Sequence, residues 1–295
     1  CWLRGLLGGG GEGQGGGGKG MWKSVVEDQR LGVGELLLMV PSCAPPLEVI
    51  MQAVPPMAAR PYSIATSPLA VGGAAAVAFS VVDEVLEGGL RKRGLCTTWL
   101  EGLLKPFLSS STPSSPITLP IVMRPTSEFL LPPSVATPLV LVGPGTGVAP
   151  FVGFLSHRSL EEEALRANGG QEPFGERWLF FGCRRRDEDW LYREEMNSMV
   201  ESGALQELHL AFSREGEEKV YVQHRMKEQG ARLAELILSR GATVYVCGDG
   251  NAMAKDVQRC VVEVLAEHGG LGEEAATEAL AALKAEGRLL LDVWS

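Results

Sequence analysis

The second half of the chain alternates between short apolar runs and longer stretches with apolar residues at helical spacing. Apolar runs of about four to eight residues predict buried strands, and an apolar stripe that repeats about every 3.6 residues predicts a helix packed against a sheet. This alternation predicts an α/β domain with a doubly wound parallel sheet. The predicted strands are Leu139–Val142, Trp178–Gly182, Glu207–Phe212, Thr243–Cys247 and Leu289–Val293, and the predicted helices are Ala149–Ala167, Trp190–Glu201, Tyr221–Arg240, Asn251–His268 and Glu273–Glu286.

The chain before Leu139 is less regular, with short apolar runs separated by turns. Apolar residues at helical spacing over Leu31–Met57, interrupted by prolines, predict two short helices, and Thr98–Leu104 predicts another. Short strands joined by turns are typical of an antiparallel barrel, so we expect part of one here. The predicted strands are Arg60–Thr66, Ala74–Val85 and Ile117–Met123.

These patterns divide the chain into three predicted segments. Residues 1–30 begin with a run that is mostly glycine, which buries too little apolar surface to order itself and predicts a flexible end. Residues 31–137 carry the partial barrel with its helical insert, and residues 138–295 carry the doubly wound sheet.

A glycine loop, Gly143-Pro144-Gly145-Thr146-Gly147, lies between the first predicted strand of the sheet and its first helix. Glycine lets the backbone approach an anion closely, and the first free N–H groups of a helix point toward it, so this loop suits a phosphate. The spacing is GxGxG and not the GxGxxG of the common dinucleotide fingerprint, and no P-loop lysine follows. An ordinary turn between strand and helix is therefore an equal alternative.

Cations and hydroxyl groups follow the third predicted strand of the sheet. In open α/β sheets, ligands bind beyond the carboxyl ends of the strands, and a site with serine, arginine and lysine suits the extra 2′-phosphate of NADP. A solvated turn is the alternative, because Glu215, Glu217 and Glu218 dilute the positive charge. The candidate residues are Ser213, Arg214, Lys219, Tyr221 and Gln223.

Two other residues near this predicted edge have two interpretations each. Cys247 ends a strand on the ligand side, although a buried cysteine more often serves as a small hydrophobic residue. Trp294 stands next to the end of the chain, where an aromatic ring usually packs, but where a flat ring also suits a flat cofactor.

The composition excludes several classes of protein. A net charge of −9 and the lack of a basic stripe argue against nucleic-acid binding. The six cysteines are scattered without CxxC pairs, which predicts neither a disulfide framework nor a metal site and favours a reducing compartment, the cytosol. No apolar run reaches the roughly 18 residues of a membrane span. The chain starts at Cys1, which leaves open an upstream anchor or domain.

Seven motifs, in order from about Leu31 to Ser295, resemble the diflavin reductases. That family passes electrons from NADPH through FAD to FMN and on to a one-electron acceptor. The motifs are RPYSIATS (60–67), GLCTTWL (94–100), GPGTGVAPFVGF (143–154), FGCR (181–184), SRE with KVYVQH (213–224), YVCGDGNAMAKDV (245–257) and LDVWS (291–295).

The resemblance implies roles for individual residues. Arg60 and the backbone of Gly94, Leu95, Cys96 and Thr97 would hold the FAD pyrophosphate, while Tyr62 would stack on the flavin and Ser63 would hydrogen-bond it. Trp294 would cover the other flavin face. Ser63, Cys247 and Asp292 would position nicotinamide for hydride transfer, and Trp294, which must swing away first, completes the implied catalytic set. Those implied to hold NADPH are Gly145, Thr146, Gly147, Arg184, Ser213, Arg214, Lys219, Tyr221, Gln223 and Asp256.

The chain departs from the family pattern in ways that predict a fragment. The flavodoxin-like FMN domain and the opening strands of the FAD barrel are not found in the sequence, so FMN would act only through an upstream domain. Within the family, GLCTTWL, RPYS with the preceding PSCAPPL, WLFFGCR and FLSHR favour members whose protein acceptor is methionine synthase. SREGEEKVYVQH and the ending GRLLLDVWS favour the microsomal haemoprotein reductases, which are a close alternative. An FAD-only ferredoxin–NADP reductase and an inactive NADP-binding module are two further alternatives.

Overall fold

The computed structural model describes residues 22–27, 29, 31–70, 72–86, 89, 91–109 and 116–294. The chain divides into two compact units: unit 1 spans residues 1–60 and 81–120, and unit 2 spans residues 61–80 and 121–295. The predicted flexible stretch 1–20 lies outside the described residues.

Unit 1 contains short helices and a two-stranded antiparallel sheet. A π-helical turn at Lys23–Glu27 precedes helices α1 (Val33–Met39) and α2 (Leu47–Ala53). Helices α1 and α2 are the two short helices that the sequence predicts. Strand β1 (Asp83–Val85) pairs with β2 (Arg91–Arg93). Helix α3 (Leu95–Leu108) follows, longer at both ends than the predicted Thr98–Leu104.

The three strands predicted before Leu139 are mostly wrong. Arg60–Thr66 contributes only a single antiparallel bridge, from Ile64 to Val77. Within Ala74–Val85 only β1 is a strand, and Ile117–Met123 contains none. Val122, for example, is 84% exposed. A strand needs a neighbour to pair its backbone groups, and β-branched residues alone do not supply one. The described residues therefore do not confirm the predicted barrel.

Unit 2 is built on a five-stranded sheet in which every neighbouring pair is parallel. The strand order is β5-β4-β3-β6-β7. This confirms the predicted doubly wound sheet, and each strand lies within two residues of its predicted bounds. The strands are β3 (Leu139–Val142), β4 (Arg177–Cys183), β5 (Glu207–Phe212), β6 (Thr243–Asp249) and β7 (Leu289–Trp294).

Six helices of unit 2 alternate with these strands, and one predicted helix is divided. The region Tyr221–Arg240 forms two helices that meet at Gln229. A Cβ on Gly230 would overlap the ring of His268, so this glycine allows a close approach at the break. The helices are α4 (Ala149–Ala167), α5 (Arg193–Glu201), α6 (Val222–Glu228), α7 (Gly230–Leu238), α8 (Met253–His268) and α9 (Glu273–Ala285).

The sheet is covered on both faces by apolar side chains. Alternate residues of β3 point to opposite faces, so Val140 joins a core with α6 to α9, and Leu141 joins a core with α4 and α5. The strand order reverses between β3 and β6, because the chain leaves the β3–β4–β5 side and returns to place β6 beside β3. Ligands of doubly wound folds bind at this reversal, beyond the carboxyl ends of the strands.

Candidate functional site

The glycine loop lies at the reversal of strand order. It links β3 to a 3₁₀ turn, Gly145–Val148, that leads directly into α4. A Cβ on Gly147 would lie 2.8 Å from the carbonyl carbon of Cys247 and still closer to its oxygen. Gly145 has φ +57°, with open space where a Cβ would stand, and Thr146 is half-buried beside it. The loop therefore packs on the end of β6 and leads into the first turn of α4, the kind of helix start at which an anion binds.

A serine, a thiol and a carboxylate meet beyond this loop. Ser63 donates a hydrogen bond of 2.6 Å from Oγ to Oδ2 of Asp292, and Sγ of Cys247 lies 3.7 Å from the same oxygen. Cys247 and Asp292 are partners in the β6–β7 ladder. Burial, followed by the nearby carboxylate of Asp292, raises the pKa of the Cys247 thiol well above its usual range. The structure thus brings together three of the predicted catalytic residues, with the Cys247 thiol in its neutral form.

The fourth predicted catalytic residue, Trp294, ends β7. It faces Asp249 in the β6–β7 ladder, and its carbonyl accepts a hydrogen bond of 2.8 Å from the backbone of Gly250. Its side chain is 43% exposed. The backbone is therefore held by the sheet while the indole faces solvent. Tyr62, the predicted flavin partner, is half-buried and packs edge-to-face on Phe79 at 6.2 Å between ring centroids.

Backbone hydrogen bonds join the loops after β4 and β5, which carry several of the predicted NADPH contacts. The backbone of Ser213 donates to the carbonyl of Cys183, and that of Arg214 donates to the carbonyl of Arg184, both at 3.0 Å. Arg184 donates from Nε to Asp189 at 2.7 Å. Arg214 and Lys219 are exposed, and neither forms an ion pair within the described part of the chain. These two cations are therefore available to an anionic ligand.

Three other predicted NADPH contacts lie at the starts of nearby helices. Tyr221 caps α6, its backbone donating to Nδ1 of His224 at 3.0 Å, and its side chain is 43% exposed. The carbonyl of Gln223 accepts a bond of 3.4 Å from Sγ of Cys260, which ties α6 to α8. Asp256, in the first turn of α8, pairs with Arg259 at 2.7 Å.

The predicted FAD pyrophosphate contacts lie in unit 1. Arg60 is exposed and donates to the carbonyl of Ala58 at 2.8 Å. Gly94 directly precedes α3, and a Cβ there would come within 2.6 Å of the Thr97 hydroxyl. Leu95 is 67% exposed and Cys96 is half-buried. The N–H groups at this helix start are suitably placed for an anion, but the pyrophosphate contacts stay predictions.

Sequence reasoning missed one carboxylate and undervalued another. Asp189 accepts hydrogen bonds from the backbones of Arg184 and Arg185 as well as from the Arg184 side chain. Glu215 accepts from the backbone and the guanidinium of Arg186. The sequence signal is an acidic residue close to each group of arginines. For Glu215 that signal predicts dilution of the positive charge and not a contact that holds the loop.

Known proteins with similar sequences match most of this chain. Residues 141–259 match the oxidoreductase NAD-binding domain family. The chain is 39% identical to methionine synthase reductase of Rattus norvegicus over 288 residues, 92% of this chain and 40% of the relative. It is 39% identical to NADPH–cytochrome P450 reductase of Sus scrofa over 293 residues, 99% of this chain and 41% of the relative. The chain therefore spans about two fifths of the length of these relatives.

The fold, the glycine loop and the match to the NAD-binding domain family together define an NAD-binding oxidoreductase domain in unit 2. Over most of its length the chain is similar to methionine synthase reductase and NADPH–cytochrome P450 reductase, which agrees with the resemblance that the seven motifs indicate. Among the described helices, none has both the length and the apolar character needed to cross a membrane.

Proposed function

We propose that this chain binds NADPH and delivers a hydride from it to FAD, as the C-terminal part of a diflavin reductase. The observation that carries the proposal is the cluster of Ser63, Cys247 and Asp292. Cys247 and Asp292 lie toward the carboxyl ends of β6 and β7, and Gly147 of the glycine loop packs against the backbone of Cys247. The loop that would hold the nucleotide phosphates and the polar groups that would meet nicotinamide are thus adjacent within unit 2.

The residues present fit NADPH. Gly145 to Gly147 and the start of α4 would hold its pyrophosphate, since the N–H groups of a first helical turn and the helix dipole favour an anion there. Ser213, Arg214 and Lys219 would bind the 2′-phosphate, with the two cations free of carboxylate partners in the described loops. This combination supports NADPH over NADH.

The cofactors supply the redox chemistry: NADPH gives up a hydride, and a flavin releases the two electrons singly. The residues of the chain would orient and shield. Ser63 and the Cys247 thiol would direct their hydrogen-bonding groups at the nicotinamide, with Asp292 holding both in place. Trp294 would cover the flavin until nicotinamide takes its position, which excludes water from the reacting atoms.

For the electron acceptor we propose methionine synthase, reached in the cytosol through an FMN domain. The motifs GLCTTWL and RPYS support this choice, as does the similarity to methionine synthase reductases. A haem protein is the second candidate, because the NADPH–cytochrome P450 reductases match 99% of the chain. Mixing the NADPH-reduced protein with an isolated FMN domain from each relative would separate them: the proposal expects faster FMN reduction with the methionine synthase reductase domain.

The main test is an NADPH-dependent ferricyanide assay on the purified chain with added FAD. We expect a yellow protein that reduces ferricyanide with NADPH and has a KM for NADH at least about tenfold higher, as loss of a charged phosphate contact implies. A colourless, inactive protein that still binds an NADP resin would favour the inactive nucleotide-binding module. Equal use of both nicotinamide nucleotides would contradict the assignment of Arg214 and Lys219.

A further inference from the structure

A carboxylate joins the two loops that carry the predicted 2′-phosphate site. Oε1 of Glu215 accepts a hydrogen bond of 2.6 Å from the backbone N–H of Arg186, and Oε2 accepts one of 3.1 Å from Nε of the same residue. The Arg186 guanidinium also lies over the ring of Phe212, 4.6 Å from its centroid. One residue of the β4 loop is therefore held by two residues of the β5 segment.

This contact extends the strand pairing past the end of the sheet. The β4–β5 ladder ends at the pair Cys183 and Phe212. Two backbone hydrogen bonds, from Ser213 and Arg214, carry the pairing two residues further. The bonds between Glu215 and Arg186 come next in sequence, where the backbones no longer pair directly. The segment that contains Ser213 and Arg214 is thus held by strand pairing before it and by the contact between Glu215 and Arg186 after it.

We propose that Glu215 is a positioning residue for the 2′-phosphate end of NADPH, which holds the β5 loop against Arg186 so that Ser213 and Arg214 face the phosphate. This rests on the proposed function. Glu215 carries the same sign of charge as the phosphate, and it would repel the ligand if its charge were its only effect. Charge alone and positioning therefore predict opposite signs when the carboxylate is removed.

The test is a binding titration with adenosine 2′-monophosphate, with adenosine 5′-monophosphate as the ligand without a 2′-phosphate. In Glu215→Gln the loss of the carboxylate weakens the contact to Arg186, and we expect the Kd for the 2′-monophosphate to rise about threefold or more. The Kd for the 5′-monophosphate is expected to stay unchanged. In the NADPH assay the KM is expected to rise while kcat is retained.

Glu217→Gln is the matched control, because it removes one negative charge from the same loop. Glu217 is exposed and forms no hydrogen bond or ion pair among the described residues. We expect this variant to bind the 2′-monophosphate as tightly as the unmodified protein or more tightly. Amide hydrogen exchange adds an independent readout: the Arg186 N–H is expected to exchange faster in Glu215→Gln and at an unchanged rate in Glu217→Gln.

The outcomes separate this inference from the proposed function. If the unmodified protein binds the 2′-monophosphate and Glu215→Gln binds it equally or more tightly, the positioning role is wrong and the NADPH site stands. If the unmodified protein shows no preference for the 2′-monophosphate over the 5′-monophosphate, both are overturned.

Discussion

Ser63 and Asp292, separated by 229 positions in the chain, share a hydrogen bond of 2.6 Å between the serine hydroxyl and the aspartate carboxylate. The thiol of Cys247 donates to the same carboxylate oxygen, at 3.7 Å. A buried thiol and a hydroxyl are therefore oriented by one charged group. The proposed hydride transfer therefore depends directly on the hydrogen bond between Ser63 and Asp292.

Replacing Ser63 with alanine is expected to slow flavin reduction by NADPH about tenfold to a hundredfold, with little change in NADPH binding. A hydrogen bond to a charged group contributes about 1.5–3 kcal/mol, and here it would act at the reacting end of the nucleotide. Stopped-flow absorbance at the flavin band measures the rate. Thr66→Val removes a hydroxyl from the same segment that accepts a hydrogen bond from the Ala76 backbone, and it is expected to leave the rate unchanged. An equal loss in both variants would contradict the role of Ser63.

Arg214→Ala is expected to raise the KM for NADPH about tenfold or more and leave the KM for NADH nearly unchanged. Arg214 is exposed and without an ion pair among the described residues, so its charge is available to the 2′-phosphate. Arg185 already lies 3.6 Å from Glu188. Arg185→Ala serves as the control with the same charge change and is expected to have a much smaller effect. Parallel losses with NADPH and NADH would argue against phosphate recognition by Arg214.

Trp294→Ala is expected to relax the preference for NADPH by raising the rate with NADH. The β7 ladder and the bond from Gly250 use only the backbone of Trp294, so the variant keeps the strand and loses the ring. Steady-state rates with each nucleotide provide the measurement. Trp294→Phe keeps an aromatic cover and is expected to behave like the unmodified protein. An unchanged NADH rate in the alanine variant would refute the covering role.

Gly147→Ala is expected to destabilise unit 2 by about 1–3 kcal/mol and to abolish NADP binding. The added Cβ would meet the backbone of Cys247, which lies in a buried strand and cannot move as a flexible side chain would. Urea unfolding measures the loss. Gly272→Ala is the control, since it has open space for a Cβ at the start of α9. Unchanged stability in Gly147→Ala would mean that the glycine loop does not pack on β6 as described.

Stability is expected to fall as the pH rises from 9 toward 12. Burial raises the pKa of Cys183 and of Cys260 from the ordinary value of 9.0 to about 12. Between these values the unfolded chain loses protons that the folded chain retains, so the unfolded state is favoured, by up to about 1.4 kcal/mol per pH unit for the buried Cys260 thiol and by less for the more solvent-screened Cys183 thiol. Urea midpoints at several pH values report this slope.

Cys260→Ala is expected to flatten that slope and to lower the midpoint at neutral pH, because it removes a titrating group and leaves a cavity. Val261→Ala, at a neighbouring buried position, is the control: it creates a cavity without removing a thiol. Identical slopes in the two variants would show that the Cys260 thiol does not contribute.

The sequence by itself determined the parallel sheet. Strands buried on both faces require continuous apolar runs such as Leu139–Val142, and that requirement is visible in the local order of residues. Before Leu139 the same reasoning failed, because runs such as Ile117–Met123 have strand-like composition but no pairing partner among the described residues. Motif resemblance identified Ser63, Cys247 and Asp292 as members of one site, but not the contacts between them.

Only the tertiary structure decided which groups meet. Ser63 reaches Asp292 through the placement of residues 61–80 in unit 2, and Glu215 reaches Arg186 through the register of β4 and β5. Such pairs depend on strand order and on the direction of loops that close over long stretches of chain. Local periodicity contains no information about either, because one spacing of apolar residues is compatible with many strand orders.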